Sequence, residues 1–74
     1  METELKPGTL VHFKKTLLKV SLVYPDYITA LVLMEDDRIP QGSEVRRYTK
    51  KQLRRLKPAS REMLSTYHTL QEVQ

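Results

Sequence analysis

Two apolar runs separated by a Pro-Asp pair dominate the first half of this sequence. They are LLKVSLVY, residues 17–24, and YITALVLME, residues 27–35. Both runs are rich in β-branched and aromatic residues, which favour strands. Pro25 suits the second position of a type I turn, and Asp26 suits the third. The pattern therefore predicts a β-hairpin over residues 17–35.

The faces of this hairpin can be assigned by alternation, because neighbouring residues of a strand point to opposite sides. In the first run, one face carries four apolar residues: Leu18, Val20, Leu22 and Tyr24. The second run is largely apolar on both faces, which predicts a central strand covered on both sides. A helix over residues 15–23 is the alternative, and the β-branched content and the Pro-Asp break argue against it.

Short elements flank the hairpin on either side. TLVHF, residues 9–13, is typical of a strand, and the Pro-Gly turn before it predicts a loose lead-in over residues 1–8. Residues 36–43 combine an acidic pair, a proline and a glycine, so we expect a loop there. Residues 44–48 are predicted to form a fourth strand.

Two helical segments are predicted after the fourth strand. Thr49 and Gln52 match a capping box, which predicts one helical turn that Pro58 stops or redirects. Residues 59–73 are predicted to form a C-terminal helix with Ser60 as its N-cap. The apolar residues of this helix recur every three or four positions and form one stripe: Met63, Leu64, Tyr67, Leu70 and Val73.

Three segments of the sequence together resemble small SH3-like β-barrels: KPGTLVHF, LLKVSLVYPDYITALVLM and EVRRYTKKQLRRL. Such barrels include those attached to transposase and integrase catalytic domains and those associated with transcription or translation. The resemblance covers residues 6–57 and implies a binding module, often for nucleic acid or a nucleoprotein partner. We therefore expect one mainly β domain over residues 1–74. It would have a small antiparallel barrel or bent sheet of four or five strands over residues 9–57, then a C-terminal helix over residues 59–73.

Charge is distributed unevenly along the chain, whose net charge is +4. Residues 1–44 carry five basic and seven acidic side chains, whereas residues 45–74 carry eight basic and two acidic ones. Seven of the basic residues lie in VRRYTKKQLRRLK, residues 45–57, which we call the basic segment: Arg46, Arg47, Lys50, Lys51, Arg54, Arg55 and Lys57. Such a concentration of one sign predicts a surface for an anionic partner.

Nucleic acid is the partner that the basic segment favours, with DNA and RNA both open. Lys and Arg side chains neutralise phosphates and release counterions, and Tyr48 could stack on a base. The apolar residues of the segment could anchor it to a core: Val45, Tyr48, Leu53 and Leu56. An acidic protein surface is the alternative partner, and a solvated face that keeps the chain soluble is the third interpretation.

Three of the four tyrosines lie outside the basic segment and leave alternatives open. Tyr24 and Tyr27 flank the predicted turn, where they could form an exposed aromatic pair or close one end of the barrel. On the C-terminal helix, Tyr67 and Leu70 could bind a protein partner. Packing of the helix stripe on the barrel is the simpler interpretation.

No motif in the sequence indicates catalysis, so we expect a non-enzymatic protein without a metal, a cofactor or a small-molecule substrate. His12 and His68 lack the spacing of zinc ligands, and cysteine is absent. The acidic trio Glu35-Asp36-Asp37 could hold Mg²⁺ or Ca²⁺, but a solvated hairpin end explains it more simply. With two glycines and no serine in an elbow motif, neither a phosphate-cradling loop nor a nucleophile is indicated.

The predicted location is cytoplasmic. The start of the chain, METELKPG, lacks the features of a signal peptide, and the absence of cysteine favours a reducing compartment. The longest apolar run, Ile28 to Met34, is far shorter than the ~18 residues that span a bilayer. We therefore expect no membrane partner.

Overall fold

The computed structural model describes residues 5–73 and shows a mainly β chain. Its elements are β1 (Leu10–Phe13), β2 (Thr16–Val23), β3 (Tyr27–Glu35), β4 (Val45–Thr49), the helical turn α1 (Lys50–Leu53), β5 (Lys57–Pro58) and α2 (Arg61–Val73). The five strands form one open antiparallel sheet in the order β4-β3-β2-β1-β5. The predicted class, an antiparallel β fold of four or five strands with a C-terminal helix, is confirmed.

The predicted hairpin is formed by β2 and β3 and lies at the centre of the sheet. β3 pairs with β2 on one side and with β4 on the other. The turn between β2 and β3 contains Pro25 and Asp26, and it is closed by a 2.8 Å hydrogen bond from the Tyr24 N–H to the Tyr27 carbonyl. The sequence therefore placed this element to within one residue at each end.

Two register shifts in the hairpin change the faces that simple alternation predicts. They lie between Leu17 and Leu18 and between Val20 and Leu22. A bulge sets two residues of one strand opposite one residue of its partner, and it bends the strand. Leu17 is consequently buried, whereas Leu22 is 51% exposed. The predicted shared face of Leu18, Val20 and Leu22 was wrong for this reason.

The core lies on one face of the sheet. Alternate residues of β3 are buried, namely Ile28, Ala30, Val32 and Met34. The other side chains of β3 are only half-buried, so the predicted cover on both sides is incomplete. Buried residues of four strands form the core cluster: Val11, Leu18, Val20, Ile28, Ala30, Val32 and Tyr48.

The helical turn α1 follows β4 and begins at the predicted cap. The Gln52 side-chain oxygen accepts a hydrogen bond from the Thr49 N–H at 2.9 Å, which satisfies one of the donors at the start of the turn. Leu53 and Leu56 then pack against the core cluster, as predicted. Val45 was predicted to do the same, but it is 58% exposed on the opposite side of β4.

The two-residue strand β5 returns the chain to β1 and has no counterpart among the elements predicted from the sequence. It pairs Lys57 with His12 and Pro58 with Val11. Pro58 tolerates this position because β5 is an edge strand, where a missing N–H need not break a ladder. The pairing brings the end of the basic segment beside β1.

The C-terminal helix α2 begins after its predicted N-cap. Ser60 Oγ accepts a hydrogen bond from the Met63 N–H at 3.1 Å, and Glu62 lies in the first turn, where the helix dipole favours a negative charge. None of its residues, all within the described part of the chain, is buried. Of the predicted stripe, four residues are half-buried: Met63, Leu64, Tyr67 and Leu70. No helix in residues 5–73 is long and apolar enough to cross a membrane.

Residues 5–8 tie part of the predicted lead-in to the sheet. Leu5 packs against the core cluster, and the Gly8 N–H donates a 2.7 Å hydrogen bond to the Val20 carbonyl. Gly8 has a φ of 95°, a backbone conformation that residues with side chains rarely adopt. The rest of the predicted lead-in, residues 1–4, lies outside the described residues.

Candidate nucleic-acid interface

The basic segment is divided among several elements with different surroundings. Its cations lie on β4 (Arg46, Arg47), on α1 (Lys50, Lys51), in the turn after α1 (Arg54, Arg55) and on β5 (Lys57). All of them are exposed except Arg46, which is half-buried. Exposure and pairing therefore distinguish Arg46 from the other cations of the basic segment.

Arg46 is held in an ion-pair network with two carboxylates. Its Nη1 and Nη2 atoms each donate to one oxygen of Glu35 at 2.9 Å, and its Nε atom donates to Glu44. Thr16 Oγ1 donates to Glu35 Oε2 at 3.1 Å. Because this geometry already uses the guanidinium fork, Arg46 is less available to a phosphate than the cations that are unpaired within residues 5–73, and its predicted role as a phosphate ligand stays a prediction. Within the fold, Arg46 joins β4 to the end of β3.

The same network shifts the protonation equilibria of its members. The hydrogen bonds from Arg46, followed by that from Thr16, lower the pKa of Glu35 below its ordinary value. Hydrogen bonds to Glu35 and then to Glu44 raise the pKa of Arg46. Both shifts favour the charged forms, so the network stays ionised at neutral pH.

Acidification is expected to destabilise the fold through Glu35. Since its folded pKa lies below the ordinary 4.5, its contribution is complete above about pH 4.5 and is lost as the pH falls through the folded pKa. The urea midpoint should therefore fall in this acidic range, and it should fall less in Glu35→Gln. Asp26→Asn, which removes an exposed turn carboxylate, should keep the wild-type fall. An identical fall in Glu35→Gln would contradict the network's role.

Tyr48 lies in the core and not among the exposed residues of the interface. It is 5% exposed, and its ring centroid lies 6.1 Å from that of Phe13 at an angle of 58°. The ring could stack on a base only by leaving the core, which would cost the free energy of its burial. The predicted stacking role of Tyr48 is therefore corrected, while its predicted role as a core anchor is confirmed.

Arg47 points to the opposite side of β4, next to the tyrosines that flank the hairpin turn. Its guanidinium carbon lies 5.3 Å from the centroid of the Tyr27 ring, within the range of a cation–π interaction. Tyr27 in turn stacks on Tyr24, with centroids 4.7 Å apart. Of the two alternatives for this pair, the structure shows a stacked pair in which Tyr24 is exposed.

Four cations converge on one shallow depression of about 460 Å³, which we call the basic groove. Two of its cations, Arg54 and Arg55, come from the turn after α1. Lys57 comes from β5, and Lys14 comes from the turn between β1 and β2. The remaining lining residues are His12 and Phe13 of β1, and the surface between the charged groups is largely apolar.

The cations of the basic groove have no carboxylate partners in the part of the chain that the structure describes. Both ion pairs found within residues 5–73 belong to Arg46. Four like charges without counter-charges create a positive potential that attracts anions. Lys50 and Lys51 lie on α1, are exposed and do not line the groove.

Lys14 is held beside the groove by the geometry of its turn. Its φ is 55°, a left-handed conformation that costs a residue with a side chain roughly 1–2 kcal/mol. The His12 Nδ1 atom lies 3.3 Å from the Lys14 carbonyl oxygen, and the Lys14 Nζ atom lies 5.5 Å from the centroid of the Phe13 ring. Sequence reasoning missed His12, Phe13 and Lys14 as site residues, because the pairing of β5 with β1 alone brings them to the basic segment.

The predicted partner-binding residues of α2 are half-buried and lie outside the basic groove. Tyr67 accepts a 2.9 Å hydrogen bond at its hydroxyl oxygen from the Gln71 amide. Leu70 is also half-buried. No residue of α2, which lies within the described part of the chain, belongs to the core cluster or is among the side chains packed against it, so packing of the stripe on the sheet and its contact with a partner both stay predictions.

The acidic end of the hairpin is divided between two structural roles. Glu35 binds Arg46, whereas Asp36 and Asp37 are exposed in the turn after β3, with φ values of 50° and 61°. Asp tolerates this left-handed conformation better than most residues. Within residues 5–73, no group of three or more His, Cys, Asp or Glu side chains is placed to hold a metal ion.

Comparison with known proteins identifies no relative. The chain matches no protein-family model, no curated protein and no solved structure. The interpretation of the basic groove therefore depends on its geometry and its charge.

Proposed function

We propose that this chain is a non-enzymatic nucleic-acid-binding module that holds phosphates at the basic groove. One observation carries the proposal: four cations without carboxylate partners in residues 5–73 converge on one depression. Binding such cations releases the counterions condensed on nucleic acid, which is a large favourable term at low salt. An already paired cation such as Arg46 would first have to give up its carboxylates.

The two arginines are the principal phosphate ligands in this proposal. A guanidinium can donate two parallel hydrogen bonds to one phosphate, whereas an ammonium acts as a point charge. Arg54 and Arg55 therefore supply directed contacts, and Lys14 and Lys57 add attraction beside them. Lys50 and Lys51 extend the positive surface beyond the groove, so about four to six phosphates would be neutralised.

Sequence specificity is proposed to be low. Reading base edges in the major groove needs an element that enters it and carries suitable side chains. The helical turn α1 is four residues long, and α2 carries a single Lys or Arg, Arg61, together with Glu62 and Glu72. Neither described helix is suited to base-edge readout, which supports binding through the backbone phosphates.

A binding titration at several salt concentrations tests the proposal. The ligands are duplex DNA, single-stranded DNA and RNA. For duplex DNA we expect a log–log slope of about −4 to −5, because each neutralised phosphate contributes roughly −0.9. Binding that does not weaken with salt, or no binding to any of the three ligands at low salt, would refute the proposed function.

A protein-interaction module is the second candidate function, and its partner would be an acidic surface such as that of a polymerase or a large complex. It is favoured by exposed apolar side chains on the sheet and its turn: Leu22, Val23, Tyr24 and Val45. The predicted contacts of Tyr67 and Leu70 belong to this candidate. It requires that a polyglutamate peptide bind the chain and that oligonucleotides fail to do so.

Two further expectations from the sequence are kept as proposals. The likeness to SH3-like barrels is supported by the helical turn between β4 and β5, which carries Leu53 into contact with the core cluster. The absence of cysteine supports a reducing, cytoplasmic setting.

A further inference from the structure

We infer that the basic groove takes single-stranded nucleic acid and seats one unpaired base on the ring of Phe13. This inference rests on the proposed function and adds to it the class of ligand and a contact that no phosphate can make. It follows from what lies between the four cations of the groove, which is an aromatic ring and a largely apolar surface.

Phe13 is positioned to serve as a stacking surface. It is half-buried, so part of its ring faces the groove while the rest packs against the core cluster. Tyr48 lies on its core side, with the two centroids 6.1 Å apart, and restricts movement of the ring. A ring held from behind can stack on any base at its exposed side, since every base has a π-face.

Lys14 and Phe13 form a cation–π contact, so a positive group already lies beside this ring. The Lys14 Nζ atom lies 5.5 Å from the ring centroid. Its turn is fixed at a left-handed φ, so the backbone holds the lysine beside the ring while its flexible side chain can still swing to a phosphate. One base on the ring and its own phosphate on Lys14 would thus be bound together.

The arrangement of the cations favours a single strand over a duplex. Arg54 and Arg55 come from one turn, Lys57 from β5 and Lys14 from another turn, so three separate segments bring charge to the rim around Phe13. In a duplex the faces of the bases are stacked on one another, and the backbone alone could reach the groove. A duplex would use the cations and leave the ring empty, whereas an unpaired nucleotide would use both.

Fluorescence polarisation with four labelled ligands of about ten nucleotides tests this inference. They are oligo-dT, oligo-U, a DNA duplex and an abasic DNA strand that keeps the phosphates and lacks the bases. We expect oligo-dT and oligo-U to bind about ten-fold or more tightly than the abasic strand. The duplex should bind more weakly than the single strands in low salt, despite its higher charge density.

The variant that isolates the ring is Phe13→Leu, which keeps an apolar side chain against the core. Its affinity for oligo-dT should fall about ten-fold, while its affinity for the abasic strand should not change. Lys57→Gln is the matched control, because it removes a charge from the same groove. It should lower the affinities for oligo-dT and for the abasic strand equally. If Phe13→Leu does not fold, ring-proton NMR shifts of Phe13 replace it, and they should move with oligo-dT and not with the abasic strand.

Three outcomes would overturn the inference. Equal affinities for the abasic strand, the duplex and oligo-dT would refute base stacking on Phe13 and leave the proposed function intact. No binding to any oligonucleotide would refute both the base stacking on Phe13 and the proposed function. If polyglutamate binds more tightly than oligo-dT and Lys57→Gln weakens the binding of polyglutamate, the groove would be assigned to an acidic protein partner instead.

Discussion

Replacing Arg54 and Arg55 together by glutamate is expected to lower the affinity for single-stranded and duplex DNA at least about 100-fold at low salt. Each arginine can make charge-assisted hydrogen bonds to phosphate, worth roughly 1.5–3 kcal/mol apiece. The double variant removes both sets and puts two negative charges in the basic groove, where they repel the ligand. Fluorescence polarisation at one fixed low salt concentration measures the effect.

A control with the same change in net charge distinguishes the groove from the overall charge of the chain. Lys19→Glu/Arg61→Glu also reverses two exposed cations, and neither of them lines the groove. We expect this control to weaken binding by a few-fold only, through the long-range potential. Both double variants should keep the wild-type melting temperature, because the four side chains are exposed. Equal losses in the two double variants would show that the groove is not the binding site.

The exposure of Arg54 and Arg55 could be predicted from the sequence, whereas the fate of Arg46 could not. Every basic residue in a charged run has the same sequence context, and its partner is set by strand pairing. Arg46 lies opposite Ala30 in the pairing of β3 with β4, and its long side chain reaches Glu35 at the end of β3. The sequence shows the acidic trio that includes Glu35. It does not show the strand pairing that brings Glu35 to the Arg46 guanidinium.

The hairpin was predictable because its signals are local. Pro25 and Asp26 are turn residues with known positions, and two β-branched runs lie directly on either side of them. The prediction that Leu22 shares a face with Leu18 and Val20 failed for a non-local reason. A bulge adds one residue to a strand, and every later side chain then changes face, which alternation alone cannot foresee.

Only part of the candidate site could be predicted from the sequence. The cluster of cations after α1 is a composition signal, and it identified Arg54, Arg55 and Lys57. Phe13 and Lys14 lie about forty residues earlier and join them only through β5, a strand of two residues. Two residues are too few to show the period of a strand. The pairing of β5 with β1, which completes the groove, therefore has almost no signal in the sequence.

Replacing Tyr48 by alanine is expected to destabilise the fold by about 3–5 kcal/mol, the usual cost of removing a buried aromatic ring. A chain of 74 residues has a total stability of roughly 4–11 kcal/mol, so the variant should be at the limit of folding. The melting temperature should fall by about 15–30 °C in thermal unfolding followed by circular dichroism. Tyr48→Phe keeps the ring in the core and should lose only a small part of this stability.

The two possible roles of Tyr48 predict opposite results for the alanine variant. A core residue gives a large loss of melting temperature, and any loss of oligonucleotide binding then follows the unfolded fraction. An exposed stacking residue would give an unchanged melting temperature and a direct loss of binding. Since Tyr48 is 5% exposed and lies behind Phe13, we expect the first result. Adding oligo-dT should then raise the melting temperature of Tyr48→Phe as much as that of the wild type, because a ligand that binds only the folded chain stabilises it by mass action.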